Sequence, residues 1–183
     1  DIFSENLKYL KKPIDLITGD GDTLVPSELS SDSVKNILKS DKIKNWYTQN
    51  LDGSQSHKKF KHYPIGLDLH TIRDSLFKSS DKVLEYLNKL RNEKELHQNN
   101  KKILRIFCDF HNTIYQHKRF PNDRAEIFSL KGRLKFVDFT ADRLNILNTY
   151  KKYSDYTFAI SGSGNGLDSH RTWELVYLGC IVL

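Results

Sequence analysis

From Lys102 to Leu183 the chain alternates short apolar runs with amphipathic stretches, and only brief polar turns separate them. Lys102 to Phe110 reads as a strand carrying Ile103, Leu104, Ile106 and Phe107. Asp123 to Leu130 reads as a short helix and Leu134 to Phe139 as a strand. Thr140 to Tyr153 follows as a helix opened by Thr140 and striped by Leu144, Ile146 and Leu147. Thr157 to Ser161 is then a strand, Gly162 to Gly166 a glycine-rich turn, Asp168 to Leu178 a helix and Cys180 to Leu183 a last strand. Two-residue hairpins can join only antiparallel neighbours. A helix between every pair of strands therefore requires crossover connections and a parallel sheet.

The first half carries a looser version of the same pattern. Ile14 to Thr18 is a short strand ending at Gly19-Asp20-Gly21-Asp22. Ser31 to Lys42 places Val34, Ile37 and Leu38 at helical spacing, with Ser31 or Asp32 at the N-cap. Ile43 to Gln49 and Phe60 to Ile65 read as further strands, the second ending in a turn over Pro64 to Asp68. Asp81 to Gln98 is a helix with one apolar stripe of Val83, Leu84, Leu87 and Leu90 on a charged background. Three segments follow: 1–78 as part of one Rossmann-like unit, 79–101 as a connecting helix and linker, and 102–183 as the start of a second. The lack of any Met and an apolar run at the C-terminus predict a fragment whose last strand lacks its covering helix.

Charge narrows the partners only in part. Lys and Arg number 29 against 23 Asp and Glu, a net charge of +6, which suits phosphorylated ligands and anions in general. The lysines are scattered along amphipathic stretches, and only Lys58-Lys59-Phe60-Lys61-His62 forms a local cluster. No nucleic-acid module is recognisable, so nucleic acid is not an expected partner. No apolar run approaches the roughly 20 residues of a membrane span. Cys108 and Cys180 sit in apolar strands and read as buried thiols.

The stretch Ser161 to Glu174 carries the most chemistry. Its glycines, Gly162, Gly164 and Gly166, follow a strand and precede a helix. Such a turn lets the backbone approach a ligand, and the helix start at 166–169 offers free N–H groups to an anion. His170 and Arg171 add donors suited to a diphosphate, and Glu174 is an acceptor suited to a ribose diol. The residues alone leave two readings open, a nucleotide cradle or merely a tight connection with Arg171 on the surface.

The segment SGNGLDSHRTWE (Ser163 to Glu174) followed by YLGCIVL (Tyr177 to Leu183) resembles the nucleotide-sugar-binding segment of exostosin-like glycosyltransferases. The branch it resembles contains ribitol xylosyltransferase and related proteins of large DNA viruses. ITGDGDTLVP, IKNWYTQN and YPIGLDLHT look like the end of that family's N-terminal domain, and RFPNDR like its middle. The resemblance implies an inverting, metal-independent enzyme of two Rossmann-like domains, the GT-B architecture. It needs no cofactor and takes a nucleoside diphosphate sugar, UDP-linked, as donor and a glycan or other hydroxyl compound as acceptor. It places His170, Arg171 and Glu174 at the diphosphate and ribose of the nucleotide sugar; Gly164, Asn165 and Gly166 of the same turn, and Arg119 and Arg124, are further candidate contacts. The family pattern has Ser-Pro, often with a His, where this chain has Ser161-Gly162-Ser163. The resemblance is compatible with a cytoplasmic, viral-type protein and with a lumenal Golgi-type domain.

Other residues admit competing chemistry. The base that would activate the acceptor is sought among strand-end residues: Asp20, Asp22, His70 and Asp109. Asp20-Gly21-Asp22 is also the D-x-D with which metal-dependent glycosyltransferases hold a divalent ion, although Gly21 makes an ordinary turn. Phe107 to Ile114 looks like the nucleophile motif of haloacid-dehalogenase phosphohydrolases. Asp109 would be its nucleophile, with His111 where that family has its second Asp. A binding-only relative without activity is a further alternative. The seven His and two Cys show no zinc-like spacing, so no metal set is expected. Trp46, Tyr47 and Trp173 read as packing residues.

Overall fold

The computed structural model describes residues 2–19, 21–71, 79–96, 101–109, 123–140 and 143–183. The chain forms two compact units, Asp1–Ile65 with Gly164–Asp168, and Gly66–Ser163 with Ser169–Leu183.

Unit 1 opens with a short helix α1 (Ile2–Asn6) and a 3₁₀ turn (Leu7–Tyr9). Strand β1 (Ile14–Thr18), helix α2 (Ser31–Lys39), β2 (Ile43–Thr48) and β3 (Phe60–His62) follow. The three strands pair in the order β1-β2-β3, all parallel. Helix α2 exists because Val34, Ile37 and Leu38 fall on one face. That face packs with Leu7, Ile43, Trp46 and Phe60 into the unit's core. Trp46 is 1% exposed and its indole N–H donates to Thr18 Oγ1 at 2.9 Å, so it is a packing residue.

Unit 2 contains α3 (Ser80–Leu96), β4 (Ile103–Cys108), α4 (Asp123–Ser129), β5 (Val137–Phe139), α5 (Ile146–Asp155), β6 (Tyr156–Ala159), α6 (His170–Tyr177) and β7 (Ile181–Val182). Its sheet runs β5-β4-β6-β7, and every pairing is parallel. Alternate residues of β4 serve different layers, as a pleated strand between two helical layers must. Phe107 joins Val83, Leu87 and Leu90 of α3, Tyr150 and Tyr153 of α5, and Leu175 of α6. Cys108 joins Val137 and the α4 residues Ile127 and Phe128. Both cysteines are buried thiols outside any disulfide. No helix among the described residues is long and apolar enough to cross a membrane.

Several boundaries differ from the sequence expectation: the N-cap of α2 is Ser30, not Ser31 or Asp32, and β3 and β5 are shorter, Phe60–His62 and Val137–Phe139. The 79–101 segment holds helix α3, whose Val83, Leu87 and Leu90 join the core of unit 2. Helix α5 starts at Ile146, not Thr140. The Thr140 amide extends the sheet bonding by donating to Cys108 O at 3.1 Å, and Asn145 caps the helix through a 2.9 Å bond from the Asn148 amide. Helix α6 starts at His170 with Ser169 as N-cap, so 166–169 is not a helix start.

Candidate functional site

In unit 2 the chain enters the sheet at β4, moves to β5 on one side, and then crosses to β6 on the other. This reversal between β4 and β6 is the place where open parallel sheets bind ligands, beyond the carboxyl ends of the strands. Asp109 directly follows β4, and Ile160 and Ser161 follow β6.

Asp109 is the centre of a charged cluster built from three elements. The Tyr153 hydroxyl on α5 donates to Asp109 Oδ2 at 2.8 Å. The Arg171 guanidinium on α6 lies with Nε 3.3 Å from Asp109 Oδ1 and also donates to Tyr153 Oη at 3.2 Å. The Asp109 side chain is 10% exposed and that of Arg171 24%. Burial disfavours the Arg171 charge, but Tyr153 and Asp109 outweigh it and hold the guanidinium more firmly protonated. Burial pushes the Tyr153 hydroxyl well above its ordinary value, against the opposing pull of Arg171, so it stays a neutral donor. The arrangement presents a permanent cation beside the switch point, balanced by one carboxylate.

The surrounding backbone is tied down by side chains. Arg124 donates twice to Ser163 O, at 3.1 and 2.8 Å, so it holds the end of the β6 loop. Ser161 Oγ and Thr172 Oγ1 are 2.8 Å apart, joining the strand end to the first turn of α6. Glu174, one turn into α6, is 2% exposed and accepts a 2.9 Å bond from the Tyr150 hydroxyl. At this burial a ribose diol would reach the Glu174 carboxylate only if the side chains around it moved aside. His170 directs its ring nitrogen Nδ1 at Gly66 O, 2.9 Å away. His70 stands near it, with ring centroids 5.5 Å apart.

In unit 1 the carboxyl ends of β1 and β2 carry a second polar arrangement. Asn50, just beyond β2, is buried and adopts φ 52°, a left-handed conformation that Asn tolerates better than most residues. Its Nδ2 donates to Gly21 O at 2.8 Å, and its Oδ1 accepts from the Asp168 amide at 3.0 Å. Asp168 Oδ2 in turn accepts from the Ile65 amide at 2.7 Å. Gly166 is needed here because a Cβ would lie only 2.8 Å from Asn50 Cγ and Nδ2. The close approach at this glycine is therefore to Asn50. Within the same segment, the Gly164 amide donates to Gly166 O at 3.1 Å, and Asn165 lies between them.

The structure thus brings Asp109 and Arg171 together, and His70 with His170. Asp22 lies in the exposed loop after β1. Asp20, Arg119 and the His111 to Ile114 part of the phosphohydrolase motif fall outside the described residues. Tyr153, Tyr150 and Asn50 were not singled out from the sequence. For Asn50 a signal existed, a polar Gln49-Asn50 pair closing an apolar strand. The two tyrosines look like any other helix residues until tertiary contacts are known.

No family model matches the chain, and no curated protein matches it as a relative.

Proposed function

We propose that the chain binds a nucleoside diphosphate sugar and transfers the sugar to a hydroxyl acceptor, as a glycosyltransferase of the GT-B type. The observation that carries this reading is the charged Arg171 guanidinium held beside the β4/β6 switch point on the first turn of a crossover helix. An incoming diphosphate would take the place of Asp109 as the partner of Arg171. Its charge grows as the glycosidic bond breaks, so the same contact stabilises the leaving group. A base removes the proton of the acceptor hydroxyl as the new bond forms. In this reading Tyr153 and Asp109 keep the guanidinium oriented before the donor arrives. Arg124 sets the loop through Ser163, and Glu174 fixes α6 through Tyr150.

The phosphohydrolase reading is the less favoured one on a specific ground. Each oxygen of Asp109 has a partner, one the Tyr153 hydroxyl and the other the Arg171 cation, and both contacts lower its nucleophilicity. Calorimetric titration with UDP and other nucleoside diphosphates tests the proposal, on the parent and on Arg171→Ala, with and without EDTA. Binding by the parent in EDTA, weakened roughly ten- to a hundredfold in Arg171→Ala, is the expected result. Equal affinity in the two proteins removes the donor-site assignment.

A further inference from the structure

We infer that Asp68, His70 and His170 form a binding site for one divalent transition-metal ion of the zinc class. All three lie in unit 2, and one ligand atom from each falls within 4.8 Å of the others. Asp68 Oδ1 and His70 Nδ1 are 3.3 Å apart. Two ligands at about 2.0–2.1 Å from a tetrahedral zinc are separated by roughly 3.3 Å, so this pair already spans one tetrahedral edge. Two imidazoles and a carboxylate suit zinc-like ions, and a three-ligand set leaves a fourth position for water.

The second layer of contacts is of the kind that prepares ligands. His170 Nδ1 points at Gly66 O at 2.9 Å, and as the donor in that bond it leaves the lone pair on Nε2. Metal-bound histidines are oriented in this way by a backbone carbonyl on the other ring nitrogen. The Asp68 side chain is 2% exposed, and its Oδ1 accepts the Thr71 amide at 3.0 Å. His70 is 70% exposed at the side chain, which leaves the ion an entry path. The ion would tie the 66–71 segment to the first turn of α6. No spacing in the sequence announces the set, because Asp68-Leu69-His70 and His170 meet only through the fold.

The inference stands apart from the glycosyltransferase reading, since metal uptake is measured with no nucleotide present. The purified chain is stripped with chelator and titrated with Zn²⁺ by calorimetry, and with Co²⁺ followed by its visible absorption. One ion per chain is expected, with the intense bands of a near-tetrahedral Co²⁺ site. His70→Ala and His170→Ala should each weaken binding by about tenfold or more. His57→Ala, in unit 1, should leave it unchanged. Because His70 is exposed, His70→Ala should melt with the metal-free parent, so weakened binding cannot be blamed on unfolding. Failure of the parent to take up either ion, or full binding by His70→Ala, overturns the site.

Discussion

Arg171 Nε lies 3.3 Å from Asp109 Oδ1, with the Tyr153 hydroxyl bonded to both side chains. Asp109 directly follows β4, the first strand of its sheet, and Arg171 lies in the first turn of α6, the last crossover helix. A largely shielded ion pair contributes little net stability, because desolvation offsets much of the attraction. Breaking it from one side is different, since the remaining charge is left buried without its partner.

This asymmetry separates structure from binding in mutants. Arg171→Ala should lose roughly 3–5 kcal/mol of stability as well as nucleotide affinity. Asp109→Asn neutralises the group that competes with a diphosphate for Arg171, so it should bind UDP a few-fold more tightly while melting lower. A phosphohydrolase would behave otherwise, releasing phosphate in Mg²⁺ and losing that activity in Asp109→Asn. Affinity, melting temperature and phosphate release on the two variants distinguish the cases. Weaker UDP binding by Asp109→Asn would count against the exchange.

Glu174 provides a second separation. Its burial and its bond from Tyr150 make it a positioning residue of α6. Glu174→Gln should lower the melting temperature, and Tyr150→Phe should cost about 1–3 kcal/mol by removing a buried donor. Neither should alter the ratio of affinities for UDP and 2′-deoxy-UDP. A ratio that collapses to one in Glu174→Gln would instead place the carboxylate on the ribose.

Much of the fold was legible because it rests on local periodicity. The strand at Ile14 to Thr18 falls where the sequence places it, and the two helices striped by Val34 and by Val83 to Leu90 bury those faces. The parallel order of the second sheet follows from the helices between its strands. The start of α6 was misplaced for a tertiary reason. Asp168 is a good N-cap by type, but its carboxylate is taken by the Ile65 amide and its own amide by Asn50, so the helix begins two residues later. Asp109 and Arg171 were each picked out singly, for separate reasons. Their meeting, and that of His170 with Asp68 and His70, depends on long-range packing that no spacing encodes.

Acid should weaken unit 1 through Asp52. Partial burial pushes its carboxyl upward, but hydrogen bonds from Ser27 and Ser54 outweigh this and hold the pKa at about 2, against an ordinary value of 3.8. The amides of Ser27 and Ser54 donate at 3.0 and 2.8 Å. A depressed folded-state pKa contributes stability above the ordinary value, and that stability disappears as pH falls toward about 2. Asp52→Asn should therefore melt below the parent near neutral pH, with the gap closing across this acid window. A gap that stays constant down to the acid limit would show that the carboxylate charge is not what pins the loop.

Asn50 and Gly166 should behave as one unit. Gly166→Ala places a methyl against the Asn50 amide, and with backbone on one side and a buried side chain on the other there is little room to yield. Overpacking of this kind typically costs about 1–3 kcal/mol. Asn50→Gly keeps the left-handed backbone at φ 52° without strain, but it removes the bonds to Gly21 O and from the Asp168 amide. Each lost bond is worth about 0.5–1.5 kcal/mol. In the double variant the three atoms nearest the methyl, all in the Asn50 side chain, are gone, so Gly166→Ala should cost much less on the Asn50→Gly background. The two changes should therefore be non-additive by about 1 kcal/mol or more, which melting of the four proteins in a double-mutant cycle measures. Strict additivity would mean that Gly166 is required by something other than Asn50, and the glycine would then revert to its first reading, a close approach to bound ligand.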